Sequence, residues 1–455
     1  MSSSRGPELI PLTGADAFLR AFDDEIRRCN RANHISQLVL RLGPGFDVGS
    51  LRKILREITP ANPILSAPVR RRFGLGPPAY RIDKAGRGVP PRLQVHDAQS
   101  PERSGPGVPP LFFERLNERH SIRRGDLLRL DAVRYSGGTR GTDLALSWAH
   151  MLLDGSGSEE FVRFLDACAR GERRPDSLSR AQSLGPAAQS GRGGPVLSLR
   201  QRGDLAREWQ THMEGFAAHP LRSLSGPRRR VRQALRYHVL TLDPAQTEHV
   251  VKRAVDQAGF LTPMLFYMAA TIRAHYAVFQ ARGVDPGSFV VPLPVSVRPK
   301  GAEGEIFRTQ VSLLWFQVLP RQADDFQGLL EALKEQRLAS IKAGFVESGI
   351  HAMDFARYAP KRVYAYVARR SLRGELCSFF FAYTADFLPG LEHFLGAPIE
   401  NAFHVPPVPP SPGSSTALSL RGGRLNVTHV YQEGVFNAAE HHIFRDQLRT
   451  DLLGE

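Results

Sequence analysis

Cysteine is scarce. The chain of 455 residues holds three, Cys29, Cys168 and Cys377, far apart and odd in number, which excludes a disulfide framework and leaves no paired thiolates for a zinc site. This usage fits a reducing compartment, and a cytoplasmic location is expected. Long apolar runs are lacking as well. The longest, around Leu261 to Ile272, is too short to span a bilayer, and Met1-Ser2-Ser3-Ser4-Arg5-Gly6-Pro7 has no apolar core of a secretory signal. Neither a phosphate-cradling glycine loop nor a solenoid-period repeat is visible.

Acidic residues are outnumbered. Against 60 Lys and Arg stand 45 Asp and Glu, a formal charge of +15, so anionic partners are attracted and their encounter is faster. The basic residues are spread along the chain, with short runs at Arg70-Arg71-Arg72 and Arg228-Arg229-Arg230 that read as solvated faces. A nucleic-acid arm would be longer and denser, and no nucleic-acid motif accompanies these runs, so nucleic acid is not an expected partner.

Apolar residues are plentiful at 42%, with 23% charged, which is ordinary globular usage. The length favours two domains over one. Leu38, Leu40 and Leu42 alternate as in a strand, and Leu51, Ile54, Leu55 and Ile58 recur at helical spacing after Asp47, a helix that Pro60 and Pro63 should end. Ala79 to Asp83 reads as a strand and Pro90 to Pro110 as a surface loop. Leu127 to Tyr135 and Asp143 to Trp148 read as a hairpin turned by Gly137-Gly138-Thr139-Arg140-Gly141. A helix with Phe161, Phe164, Leu165 and Cys168 follows, with Ser156 and Glu159 spaced as its capping box.

Residues 171–200, loosest from Gly171 to Pro195, are rich in Gly, Pro, Ser and Arg and suit a linker. The expected division is therefore 1–170, linker 171–200, and 201–455. In the second part Leu205 to Phe216 is helical and Tyr237 to Leu242 a strand. Asp243-Pro244 and Thr262-Pro263 open two helices in succession, the first stopped by Gly259. Ser288 to Val297 and Val311 to Leu319 read as strands, Leu376 to Tyr383 and Leu425 to Tyr431 as a further strand pair around a Pro-rich loop, and Ala438 to Leu453 as a last helix.

One segment carries chemistry. Leu144, Leu146 and Trp148 share a strand face, and the same period puts His150 on that face where the strand gives out. Asp154 and Gly155 then make a tight turn, in which Asp bonds backbone and Gly permits positive φ or close ligand approach. An imidazole near its ordinary ~6.5 is a suitable general base for acyl transfer without unusual tuning. On these six residues alone, a structural histidine is an equally good reading.

The pattern His150-x-x-x-Asp154-Gly155, with its capped helix, loose linker and second α/β half, resembles the CoA- and carrier-dependent acyltransferase superfamily. Its members include chloramphenicol acetyltransferase, plant alcohol acyltransferases, nonribosomal peptide condensation domains and wax-ester/diacylglycerol acyltransferases. Thr262-Pro263-Met264-Leu265-Phe266 is similar to the start of the family's core helix, and Val291 to Arg298 to the strand ending in its buried arginine. Gly423-Arg424-Leu425-Asn426-Val427-Thr428, Tyr431 and the final helix fit as well.

The resemblance implies an α/β fold of two chloramphenicol acetyltransferase-like subdomains in a V, with an active-site tunnel between them. It implies His150 as general base, Arg298 paired with Asp154, room beside Gly155 for the thioester arm, and Ser378 in the region of an oxyanion donor. The donor would be acyl-CoA or a phosphopantetheinyl carrier protein, with no cofactor bound permanently, and the acceptor a small molecule or lipid. Peripheral membrane association is compatible with such an acceptor. No metal is expected: His441 and His442 point different ways on a helix, and His404 and His429 have no spacing partner.

The sequence departs from the pattern in places. Ala149 stands where condensation domains and wax-ester synthases usually carry another histidine, which single-histidine members lack. Arg308-Thr309 replaces a frequent Gly-Asn pair, and the Asp-Phe-Gly-Trp-Gly of plant enzymes is absent. The rival reading is a non-catalytic module of the same fold that docks an acidic carrier protein or another partner.

Overall fold

A computed structural model describes the chain apart from residues 1–6, 30–31, 73–74, 83–87, 99, 101–106, 138–140, 180–181, 184–196, 226–232, 299–305 and 410. The expected Gly138-Thr139-Arg140 turn, half of the linker and the Arg228 run lie outside the described residues. In chain order the first part forms β1 (Glu8–Pro11), α1 (Gly14–Cys29), β2 (Ile35–Leu42), α2 (Val48–Ala61), β3 (Val69–Arg72), β4 (Leu75–Ile82), β5 (Arg92–Asp97), α3 (Pro110–Asn117), β6 (Leu128–Arg134), β7 (Thr142–Ala149) and α4 (Gly155–Ala169). There follow α5 (Leu199–Gly215), β8 (Leu235–Thr241), α6 (Pro244–Ala258), α7 (Pro263–Ala281), β9 (Phe289–Ser296), β10 (Val311–Val318), α8 (Phe326–Lys342), α9 (Phe345–Ala356) and α10 (Lys361–Arg370). The last elements are β11 (Phe380–Thr384), β12 (His393–Phe394), β13 (Ala397–Val405), β14 (Ser414–Arg421), β15 (Arg424–Gln432) and α11 (Ala438–Leu453).

Two larger sheets organise the fold. One has the order β12-β13-β2-β7-β6-β5 and the other β11-β14-β15-β8. At the centre of the first, β2 and β7 are buried along their whole lengths, so both faces are covered, polar residues such as Gln37 and Ser147 included. Their register pairs Ile35 with Ala149, which brings the end of β7 beside the start of β2. Asp47 caps α2 by accepting from the Ser50 N–H, and Leu51, Ile54, Leu55 and Ile58 face inward as their spacing requires. Pro60 falls inside the last turn instead of ending the helix before it. Asp243 and Gln246 form a reciprocal capping box on α6, which closes at Gly259.

Several expectations are corrected. The stretch read as a loop from Pro90 to Pro110 contains β5, which pairs in parallel with β6 and half-buries Leu93 and Val95. Ser156 and Glu159 do not cap α4; Asp154 does, through the Gly157 N–H, while the Glu159 carboxylate accepts from the Leu388 N–H. The strands expected at Leu376 to Tyr383 and Leu425 to Tyr431 are not direct partners, because β14 lies between them. Most consequential is β13. Residues late in the chain pair with β2, Phe403 opposite Val39, and Phe403 and Val405 share one core with Leu38 and Trp148. The loose stretch at 171–200 therefore divides the sequence without dividing the sheets.

A second core lies under α7, whose buried residues run round the helix from Leu265 to Phe279. An unusual group runs from this core to its edge, with His275 and His429 buried, His441 half-buried and His238 exposed. His275 stacks on Phe379 at 3.9 Å and His429 on Phe444 at 4.1 Å, while the rings of His238 and His441 lie 4.1 Å apart. Burial holds the pKa of His275 and of His441 down to about 4. His429 is pushed lower still, by burial and then by its histidine neighbours. These rings are neutral when folded and protonate near 6.5 when unfolded, so stability is lost as pH falls through 6.5 toward 4. The melting temperature should fall over that range, and His429→Phe should flatten the slope; parallel profiles for the two proteins would contradict this.

Candidate active site

His150 follows directly on β7, and its backbone N–H donates to the His34 carbonyl at 3.0 Å. The turn beyond it is fixed at each carbonyl. Met151 O accepts from Tyr80 Oη at 2.9 Å, Leu152 O from the Arg308 N–H at 2.6 Å, and Leu153 O from Trp148 Nε1 at 2.8 Å. A turn with these groups satisfied in the core has little freedom to move its side chains.

The His150 ring faces a cleft of about 290 Å³. Its Nδ1 lies 2.9 Å from Ser36 Oγ, and the His34 ring stands edge-on at 5.4 Å. Across the cleft His404 projects from β13, with its Nε2 2.9 Å from Ser158 Oγ and its ring 4.5 Å from that of Phe387. The walls are mostly apolar, with Phe18 and Phe22 of α1, Trp148, Met353 and Phe381 among them. Burial pushes the His150 pKa down to about 3, helped by the His34 ring and opposed by the Asp154 carboxylate. This corrects the expectation of an ordinary imidazole. The ring is neutral at any physiological pH, and its basicity is reduced by desolvation.

Asp154 is buried and bonds in three directions. Oδ1 accepts from the Gly157 N–H at 2.8 Å and from Arg298 Nη2; Oδ2 accepts from the Gln310 N–H at 2.9 Å. The carboxylate thus caps α4, neutralises Arg298 and fixes the backbone entering β10. A second buried ion pair stands behind it. Arg308 Nε meets Asp16 Oδ2 at 3.0 Å with both side chains almost wholly buried, and the other Asp16 oxygen accepts from the Thr309 N–H at 2.9 Å. Arg308 adopts φ 74°, a conformation glycine takes without strain. The Arg308-Thr309 departure therefore brings its own compensation, an arginine long enough to reach α1.

Gly155 opens α4 without positive φ. A Cβ there would lie 3.6 Å from the His404 ring, an ordinary contact, whereas at Gly157 it would meet Ile306 O at 2.2 Å. Close backbone approach thus falls on Gly157, which sequence reasoning did not single out. Ser378 is not brought to His150. It is buried, its Oγ accepting from the Val290 N–H at 3.0 Å and its own N–H donating to Val290 O at 2.8 Å; the cleft wall begins two residues later at Phe380. Thr309 does line the cleft, and its buried hydroxyl has no partner among the described residues. As residues of the site, His34, Ser36, His404 and Thr309 have proximity as their only signal, contributed by three separate segments. Among the described residues no group of His, Cys, Asp and Glu side chains is arranged to hold a metal ion.

Neither a family model nor a curated protein matches the sequence. Solved structures do. The TRI3 trichothecene 15-O-acetyltransferase from Fusarium sporotrichioides superposes with a TM-score of 0.71 at 13% identity, covering 100% of this chain and 96% of that one. The first condensation domain of the calcium-dependent antibiotic synthetase, in complex with a substrate analogue, gives 0.67 at 17%, covering 98% and 96%. This chain has the condensation-domain fold. A mutant starter condensation domain of rhizomide synthetase RzmA, in complex with C8-CoA and Leu-SNAC, gives 0.66 at 13%, covering 98% and 94%. Coverage is close to complete on both sides, so the likeness of fold runs the length of the chain.

The buried setting of His150 is open to direct measurement. Its ring resonances, assigned by their loss in His150→Gln, should keep neutral-imidazole shifts down to about pH 5. A midpoint near the ordinary 6.5 would contradict the desolvated ring.

Proposed function

We propose that the protein is an acyltransferase that moves an acyl group from a pantetheine thioester, carried by CoA or a carrier protein, to a hydroxyl or amine, with His150 as general base. The observation that carries this reading is a neutral imidazole on an immobilised turn, facing an apolar cleft walled by segments from both ends of the chain. The condensation domains and the acetyltransferase that share the fold support it.

In this mechanism Nδ1–H donates to Ser36 Oγ, which leaves the Nε2 lone pair free. Nε2 takes the proton of the acceptor hydroxyl or amine as its heteroatom attacks the thioester carbonyl. The tetrahedral oxyanion forms in the cleft beside the turn that carries His150. Collapse breaks the carbon–sulfur bond, and the imidazolium returns its proton to the departing thiolate. A ring with depressed proton affinity favours that return. Asp154, Gly155 and Arg298 shape the site and exchange no proton. The donor is a substrate, and no resident cofactor is part of the proposal.

His150→Ala should leave melting temperature nearly unchanged and lower transfer from an acyl-pantetheine thioester by about two to four orders of magnitude. A folded His150→Ala protein with undiminished transfer would sink the catalytic assignment. Absence of thioester turnover in the wild type would favour the docking module.

A further inference from the structure

Helix α10 reads Lys-Arg-Val-Tyr-Ala-Tyr-Val-Ala-Arg-Arg from residue 361 to 370. It buries Tyr364 and Ala365 and leaves Val363, Tyr366 and Val367 exposed at 48%, 66% and 53%. Spacing of three and four places these in one stripe. Tyr358, just before the helix, is exposed at 53%. Apolar side chains of this size on an outer face, flanked by arginine, are uncommon on a surface that meets only water.

Two basic cavities meet at this helix. One, of about 1110 Å³ along its flank, is lined by eight Lys and Arg side chains and two carboxylates, Glu25 and Glu375. Of those cations Arg222, Arg362, Arg370 and Arg373 form no ion pair among the described residues. The other, of about 680 Å³ at the start of the helix, is lined by Arg20, Arg70, Arg71, Arg123, Arg357 and Lys361, with no carboxylate among the described residues of its wall. Arg20 Nη1 is buried there with no hydrogen-bond partner among the described residues, and burial followed by the charges of Arg123 and Arg71 lowers its pKa, against the opposing pull of Asp23. The platform is rigid, because Arg71 donates to the Tyr358 and Ala359 carbonyls and ties the helix start to β3. Lys361 is common to both cavities, so thirteen distinct cations line them; Asp24, Glu25, Asp354 and Glu440 pair with five of these, and the other eight form no ion pair among the described residues and leave this side with an excess of positive charge.

We propose that this side binds an anionic membrane surface, with the Val363, Tyr366 and Val367 stripe entering the headgroup layer and the flanking cavities receiving lipid phosphates. An apolar ridge between cationic troughs fits a fluid anionic layer, which conforms to both at once. A folded acidic protein would need a rigid relief matching ridge and troughs together. The location also serves the acyl-transfer reading, on which only this point rests. Helix α1 lines the His150 cleft with Phe18 and Phe22 and the basic groove with Glu25 and Arg28, so a lipid-borne substrate has a continuous wall from membrane to cleft.

Flotation of the full chain with phosphatidylcholine vesicles, and with vesicles of phosphatidylcholine mixed with phosphatidylglycerol, tests this without any substrate. Binding should occur to the mixed vesicles, weaken with salt, and drop by about tenfold or more in Arg362→Glu/Arg370→Glu. Tyr366→Ser/Val367→Ser should shorten residence on the mixed vesicles, and His150→Ala should bind as the wild type does, which separates this test from that of catalysis. Binding to neither vesicle, or equal binding to both, would overturn the proposal, the first result leaving an acidic protein as the partner of this face. Binding to mixed vesicles that survives both pairs of substitutions would overturn the assignment to α10.

Discussion

The Asp154 carboxylate is the point on which the site depends. It ends the His150 turn, begins α4, and holds both Arg298 and the Gln310 backbone. A buried carboxylate is tolerable only when its lone pairs are met, and here an N-cap, a guanidinium and a strand N–H meet them together. The Arg308–Asp16 pair makes the complementary tie, from the same 298–310 region back to α1. Between the two pairs the Arg308 N–H holds Leu152 O inside the turn. His150 is thus placed by contacts from residues more than a hundred positions away in the chain. Its position is a property of the assembled fold, which the local turn alone would not secure.

The same assembly sets the chemistry of the ring. Burial removes the water that would stabilise an imidazolium, and the edge-on His34 adds a second ring that disfavours charge. A neutral ring held by Ser36 can receive a proton as a bond forms and give it up as another breaks, without resting in the charged state. The apolar walls that cause the desolvation are also what an acyl chain would contact.

What could be read from the sequence was local. The alternation of Leu144, Leu146 and Trp148 placed His150 at a strand end, and Asp243-Pro244 and the Asp47 cap marked true helix starts. The Asp154–Arg298 pair came from resemblance, since nothing in spacing joins residues so far apart. Long-range pairing was illegible for the same reason. β13 joins β2 by backbone hydrogen bonds that leave no periodic mark, so the return of late residues to the first sheet has no signature in composition or spacing. His404, called a lone histidine, reaches the cleft on that strand. The capping of α4 was misassigned because Ser156 and Glu159 satisfy the spacing rule, while the true cap is the aspartate already engaged in the turn.

The central claim, that Asp154 and Arg298 act as one buried tie supporting His150, is tested most directly by a double-mutant cycle of unfolding free energies with Asp154→Asn, Arg298→Leu and the pair. Either single change leaves a partner buried and uncompensated, and each is predicted to cost about 3–5 kcal/mol. The double substitution should then lose much less than the sum of the two, because no stranded charge remains. Strict additivity, or single variants as stable as the wild type, would contradict the account.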